Sequence, residues 1–201
     1  MKRRPLTMMR KNILILNKII LPLILLSLTA CATSSDTYYH DPNMDFAAVK
    51  TVAVMPFNNF SRDTLAADRV RDVFINMLLS TGEIYVLPTG EVTRGVILVG
   101  VANPATPSAE EIVKLASLIK VDAVITGAVN EYEIIRSGTT SANIISLNLQ
   151  MIEARTGKVV WTASSTKGGV SALDRLFGGG GKPMNDVTEE AVNDILNKFF
   201  K

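Results

Sequence analysis

Residues 51–57, Thr-Val-Ala-Val-Met-Pro-Phe, form a short apolar run with no polar face. A strand exposed on one side alternates apolar and polar residues, so a run that is apolar at almost every position is typical of a strand buried on both faces. A second run of this kind occupies residues 120–129, Lys-Val-Asp-Ala-Val-Ile-Thr-Gly-Ala-Val. The two runs predict the interior of a sheet with helices on its faces.

Other segments follow helical or strand periodicity. Apolar residues recur every three or four positions in three segments, as in helices that bury one face. Residues 145–151 alternate with period two, as in a strand with one solvated face, and a turn at residues 154–158 joins this strand to the next. The predicted elements in chain order are strand 51–57, helix 61–82, strand 84–87, helix 108–119, strand 120–135, strand 145–151, strand 159–163 and a closing helix from about residue 186.

The element order is therefore β-α-β-α-β-β-β-α, with helical crossovers early and hairpins late. This order predicts an α/β fold with a mixed β-sheet and helices packed on the sheet. Ser108 and Glu111 are expected to form a capping box at the start of one helix, and Asp186 and Glu189 at the start of the last. Residues 89–107 fit either a distorted helix or an extra strand.

Cys31 is the only cysteine, and it directly follows Leu28, Thr29 and Ala30 at the end of an apolar run. This arrangement resembles the lipobox of bacterial lipoproteins, in which signal peptidase II cuts before the cysteine and lipid is attached to its sulfur. A basic start, an apolar core and small residues precede it, as in secretory signals. We therefore expect a lipoprotein signal peptide at residues 1–30 and a covalent lipid on Cys31. A permanent membrane helix and a stray cysteine are the alternatives.

The segment after the cysteine is polar and rich in turn-forming residues. It predicts a lipidated N-terminus and flexible tether at residues 31–46, ahead of a single domain at residues 47–201. The sole histidine, His40, is expected to be solvated in this tether. In lipoproteins of this kind an aspartate after the cysteine usually retains the protein in the inner membrane. The residue here is Ala32, so the resemblance implies a lipid anchor in the outer membrane, on its periplasmic face.

Removal of the signal peptide changes the charge of the chain. The whole sequence carries 21 basic and 19 acidic residues, a net charge of +2. Six basic residues and no acidic residue precede Cys31, so the mature chain has 15 basic and 19 acidic residues, a net charge of −4. Because nucleic-acid binding needs clustered basic residues, we expect no nucleic-acid partner.

The sequence shows no constellation typical of a catalyst. His40 has no second histidine and no free cysteine with which to bind a metal or activate a nucleophile. Glu110 and Glu111 lie in the first turn of a predicted helix, where capping and the helix dipole account for them. The glycines at 178–181 lack the spacing of a phosphate-binding loop. We therefore expect no catalytic residue, no metal site, no cofactor and no enzymatic activity.

Three motifs occur in an order that resembles a known group: residues 52–57, VAVMPF; residues 121–127, VDAVITG; and residues 154–161, ARTGKVVW. Together with the lipobox they resemble the CsgG-like superfamily of outer-membrane lipoproteins over about residues 50–200. That group includes the curli secretion channel subunit, LpoB-type activators of peptidoglycan synthases and assembly lipoproteins. The resemblance implies a periplasmic α/β domain that works by contacting other proteins.

The function implied by this resemblance is non-enzymatic assembly or secretion of an envelope component, through periplasmic or outer-membrane protein partners or copies of the same chain. Activation of a peptidoglycan synthase and membership of a secretion pore are the alternatives. Channel-forming members carry additional long hairpins, of which residues 131–150 offer at most one. Because aromatic residues are enriched at binding hot spots, Tyr132 and Trp161 are predicted partner contacts, with packing across the sheet as the alternative.

Overall fold

The computed structural model describes residues 37–138, 140–170 and 181–201. The predicted signal peptide, the predicted lipidation site at Cys31 and residues 32–36 lie outside the described residues. The described strands are β1 (Tyr38–His40), β2 (Thr51–Val54), β3 (Asn58–Asn59), β4 (Tyr85–Val86), β5 (Ala123–Ser137), β6 (Thr140–Glu153) and β7 (Val159–Gly168). The described α-helices are α1 (Ala66–Ser80), α2 (Thr89–Val99), α3 (Ala109–Ile119) and α4 (Met184–Phe199), and a 3₁₀ turn spans Phe46–Ala48.

The strands form one mixed sheet in the order β1-β7-β6-β5-β2-β4, and β3 pairs with β5 beside β2. Strand β2 runs parallel to β4 and β5, because helical crossovers connect them in sequence. Strands β5, β6 and β7 are antiparallel neighbours joined by tight turns, and β1 is antiparallel to β7. The predicted α/β class with a mixed sheet and packed helices is confirmed.

Strand β2 is buried on both faces, as its sequence predicts. Val52 and Val54 belong to a core cluster with residues of α1 and α4, whereas Ala53 and Met55 belong to a second cluster with residues of α2 and α3. Successive residues of a strand point to opposite faces, so these two clusters lie on opposite sides of the sheet. The helices are therefore distributed over both faces.

Residues 89–99, which the sequence left undecided, form helix α2. Pro88 precedes its first turn, and Gly100, with a φ of +73°, ends it. Gly95 lies where α2 crosses α3: a Cβ on this residue would stand 2.5 Å from Cγ2 of Ile119. The close contact between α2 and α3 therefore requires a glycine at position 95, although glycine is a poor helix former.

The two predicted capping boxes have different outcomes. At α3 the box is confirmed: the Ser108 hydroxyl accepts from the Glu111 amide, and the Glu111 carboxylate accepts from the Ser108 amide. At α4 the prediction is wrong, because the helix already begins at Met184, after Pro183. Pro183 occupies the N-cap position, where its missing N–H removes no helical hydrogen bond.

The expected tether to residue 46 is wrong for its described part. Residues 38–40 form an edge strand in which Tyr38 pairs with Ala163 and His40 with Trp161. Asp45 accepts from the amide of Ala47 at the start of the 3₁₀ turn. The domain therefore begins near residue 37, ten residues earlier than expected. The first strand pairs with the edge of β7, and it is too short for its sequence to show periodicity.

Among the described residues, no helix combines the length and the apolar character needed to cross a bilayer.

Candidate interaction surfaces

Trp161 lies in the core and not on the surface. It is 1% exposed, its ring meets that of Phe199 edge-on at a centroid distance of 5.1 Å, and its indole N–H donates to the Lys198 carbonyl at 3.5 Å. The structure thus corrects the expectation of a surface contact at Trp161 in favour of the packing alternative. Sequence could not decide this, because aromatic rings occur both in cores and at binding surfaces.

Tyr132 is half-buried against the larger core cluster, and its role as a partner contact stays a prediction. The structure does not bring it together with Trp161. Tyr132 pairs with Ile145 of β6, and Ile145 pairs with Lys167 of β7. Lys167 lies six residues from Trp161 along β7, a distance of about 20 Å. The two residues therefore do not belong to one site.

His40 is tied to the fold, which corrects its expected place in a solvated tether. Its Nε2 lies 3.0 Å from the Lys198 carbonyl oxygen, and its ring packs on Phe46 at a centroid distance of 4.9 Å. The histidine links the edge strand β1 to the end of α4. This role is structural.

A groove of about 730 Å³ lies near the start of β5, between α3 and the β6–β7 turn, and two carboxylates line it. Asp122 accepts from the amides of Lys50 and Thr51 at 2.9 and 2.8 Å. Burial raises the pKa of Asp122, but these hydrogen bonds outweigh it and hold the pKa below the usual range. A hydrogen bond from Thr156, opposed by partial burial, likewise lowers the pKa of Glu153. As anions, Asp122 accepts hydrogen bonds from the backbone and Glu153 accepts one within a turn. A general acid must hold a proton that it can donate, so this state does not suit that role.

No group of three or more His, Cys, Asp or Glu side chains in the described part of the chain is arranged to hold a metal ion.

Helices α2 and α3 carry an exposed apolar surface, which we call the apolar face: Ile97, Leu98 and Leu118. Ile97 is 72% exposed and Leu98 69%, and Leu98 and Leu118 line the same shallow groove. The neighbouring Val96 of the same helix is buried in the core. The end of α2 is thus apolar on both its inner and outer sides, a pattern typical of a helix covered by another molecule.

A second exposed surface lies where the described chain starts. We call it the aromatic edge, and its residues are Tyr38, Tyr39, Phe200 and Lys201. The three aromatic residues are between 42% and 46% exposed. The ammonium of Lys201 lies 5.6 Å from the centroid of the Tyr38 ring. The sequence patterns did not indicate this surface, although the consecutive tyrosines Tyr38 and Tyr39 were its visible signal.

A buried ion pair fixes the end of α4 beneath the aromatic edge. The Lys198 ammonium donates to the Asp194 carboxylate at 2.8 Å and to the Ser164 carbonyl at 2.9 Å. Burial raises the pKa of Asp194, but hydrogen bonds from Lys198 and Lys167 and the charge of Lys198 lower it more. The pair therefore anchors α4 to strand β7.

Residues 43–199 match the protein family described as "Putative lipoprotein GNA1162-like". The chain belongs to this GNA1162-like family. Membership of the wider CsgG-like superfamily, which the sequence motifs resemble, is not shown by this match. A comparison with curated proteins finds no match.

Solved structures of two other proteins share the fold. A PelC dodecamer from Paraburkholderia phytofirmans, of a single-residue variant, is 17% identical, with 82% of this chain and 98% of that chain covered and a TM-score of 0.56. Lipoprotein GNA1162 from Neisseria meningitidis is 22% identical, with 74% of this chain and 99% of that chain covered and a TM-score of 0.51. At these identities the similarity shows a common fold.

Proposed function

We propose that this GNA1162-like protein is a lipoprotein of the outer membrane that acts without catalysis. It is anchored through lipid on Cys31, faces the periplasm, and helps to assemble or export an envelope component. It works through contacts with copies of itself and with other envelope proteins.

Two independent lines support the anchor. Residues 28–31, Leu-Thr-Ala-Cys, have the composition of a lipobox at the end of a secretory signal. The family that matches residues 43–199 is described as a lipoprotein family, and this match does not include the lipobox. A diacylglyceryl group on the sulfur and a further acyl chain on the new N-terminal amine, as in lipoproteins of this kind, would make attachment effectively permanent, because stable anchoring takes only about two lipid signals.

The apolar face carries the proposal of self-assembly. Among the described residues, Ile97 and Leu98 are the most exposed large aliphatic side chains, and they are consecutive on one helix. Buried apolar area contributes about 25 cal/mol per Å², so covering these two residues and Leu118 with a second copy stabilises an assembly. A domain of the same fold occurs as a dodecamer in PelC. Closed rings use two different patches on each subunit, so the apolar face would meet another surface of its neighbour.

Activation of a peptidoglycan synthase is less favoured by the structure than by the sequence. A flexible tether over residues 31–46 would suit that alternative, because it would carry the domain away from the membrane. Because β1 starts at Tyr38, seven residue steps separate it from Cys31, which span at most about 25 Å. The short connection suits a protein that works close to its own membrane.

A matched pair of variants tests the assembly. Ile97→Glu places a charge in the apolar face, and Leu65→Glu makes the same change at an exposed leucine that precedes α1. In sedimentation of the detergent-solubilised mature chain, we expect wild type and Leu65→Glu to form one defined oligomer and Ile97→Glu to dissociate. A wild-type monomer, or equal behaviour of the two variants, would contradict the proposal.

A further inference from the structure

The aromatic edge lies at the side of the domain to which the lipid anchor must connect. Strand β1 is the edge strand next to β7, and the Ser164 amide donates to the Thr37 carbonyl, so the described chain starts along this edge. The chain from Cys31 to Tyr38 reaches at most about 25 Å. The bilayer that holds the anchor is therefore within that distance of the edge.

The opposite edge of the sheet is poorly placed to meet the same bilayer. Five strand spacings of about 4.8 Å separate β1 from β4, or about 24 Å across the sheet. To turn β4 toward the membrane, the connecting residues would have to be fully extended around the domain. The length of the connection thus favours an orientation with the β1 edge toward the lipid.

The residues at this edge have the chemistry of a membrane interface. Successive residues of a strand point to opposite faces, so Tyr38 and Tyr39 lie on either side of the edge, where one flat surface can receive both rings. Tyrosine is enriched at membrane interfaces because its ring is apolar and its hydroxyl remains hydrated. Phe200 is also exposed, and it lines a groove together with His40 and Lys201.

Lys201 adds a cation at this edge. Lys201 lies beside Tyr38, and the attraction of lysine to anionic headgroups supplements the insertion of aromatic rings. The His40–Lys198 contact holds β1 to the end of α4, and the Lys198 ammonium donates to the Ser164 carbonyl of β7, so this edge is preorganised.

We propose that the aromatic edge docks on the lipid surface of the membrane that holds the anchor, with Tyr38, Tyr39 and Phe200 in the headgroup region and Lys201 near anionic lipid. This inference rests on the lipid anchor of the proposed function and is independent of self-assembly. Docking fixes the domain edge-on to the bilayer, with the apolar face of α2 and α3 free to meet a neighbour in the membrane plane.

The lipidated chain offers a direct test, because its only native thiol is blocked by lipid. A nitroxide is attached to Tyr39→Cys, to Phe200→Cys, or to the control Tyr85→Cys, an exposed tyrosine in the edge strand β4. The labelled chains are reconstituted in vesicles of phosphatidylethanolamine and phosphatidylglycerol, and collision rates with oxygen and with a water-soluble nickel complex are measured. Circular dichroism identifies any variant that does not fold, in which case the other edge label decides.

We expect labels at residues 39 and 200 to collide several-fold less with nickel and more with oxygen than the label at residue 85. Labels that are equally accessible to nickel at both edges would overturn docking, and labels shielded from both reagents would show a protein contact instead. The intact mass of the purified chain separates the two proposals. Lipid on Cys31 with a hydrated aromatic edge overturns docking alone, whereas a bare thiol at Cys31 overturns the anchor and the docking that rests on it.

Discussion

The carboxylate of Asp194 lies 2.8 Å from the ammonium of Lys198, one helical turn later, and the lysine side chain is only 6% exposed. A buried charge that loses its partner is destabilising, so the two residues are not equivalent. Asp194→Asn leaves a buried cation and is expected to cost about 3 kcal/mol, whereas Lys198→Met leaves a more exposed carboxylate that keeps Lys167 as a partner and costs less. Urea unfolding of the two variants checks this order, and a larger loss for Lys198→Met would contradict it.

Stability is expected to decrease at acid pH because the pKa values of Asp122 and Asp194 are lowered in the folded state. A carboxyl group of this kind contributes full stability above its unfolded pKa, for which 3.8 is the reference, and the contribution is lost as the pH falls through the lower folded pKa. Urea midpoints should thus be insensitive to these groups between about pH 5 and 7 and fall below about pH 4.

The variant Asp122→Asn isolates one part of this acid response. It removes the charge that accepts hydrogen bonds from Lys50 and Thr51 and should weaken the acid response while costing about 1 kcal/mol at neutral pH. An unchanged acid response in this variant would show that Asp122 does not contribute.

Two glycines of helix α2 give opposite predictions for the same substitution. Gly95→Ala puts a methyl group 2.5 Å from Cγ2 of Ile119 and should cost about 1 to 3 kcal/mol by forcing α2 away from α3. Gly90 has open space around it, so Gly90→Ala should be neutral or add up to about 1 kcal/mol through helix propensity. Thermal unfolding of both variants provides the comparison. A stable Gly95→Ala protein would mean that the helices are not in close contact there.

The central strands and the order of elements could be predicted because the pattern of apolar residues within each segment indicates its structure. Residues 52–54 are buried and point to alternate faces of the sheet, so each of them is apolar, and Ser108 with Glu111 forms its cap within four residues. By contrast, β1 forms because it can pair with the free edge of β7. A segment of three residues is too short for its sequence to indicate that pairing.

The candidate surfaces were hidden from sequence for related reasons. In residues 89–99, glycines and β-branched residues oppose helix propensity, and the tight contact of Gly95 with Ile119 favours the helix only in the folded chain. Without that helix, Ile97 and Leu98 could not be assigned to an outer face. Trp161 shows the converse error, since residue type alone suggested a contact where the fold places core.

The most direct test of the account is native mass spectrometry of the mature wild-type chain released from membranes in detergent. We predict one oligomer of defined stoichiometry in which every subunit carries lipid on Cys31. A chain that remains monomeric at all concentrations, or whose Cys31 is unmodified, would contradict the claim that this protein is a membrane-anchored lipoprotein that assembles with itself.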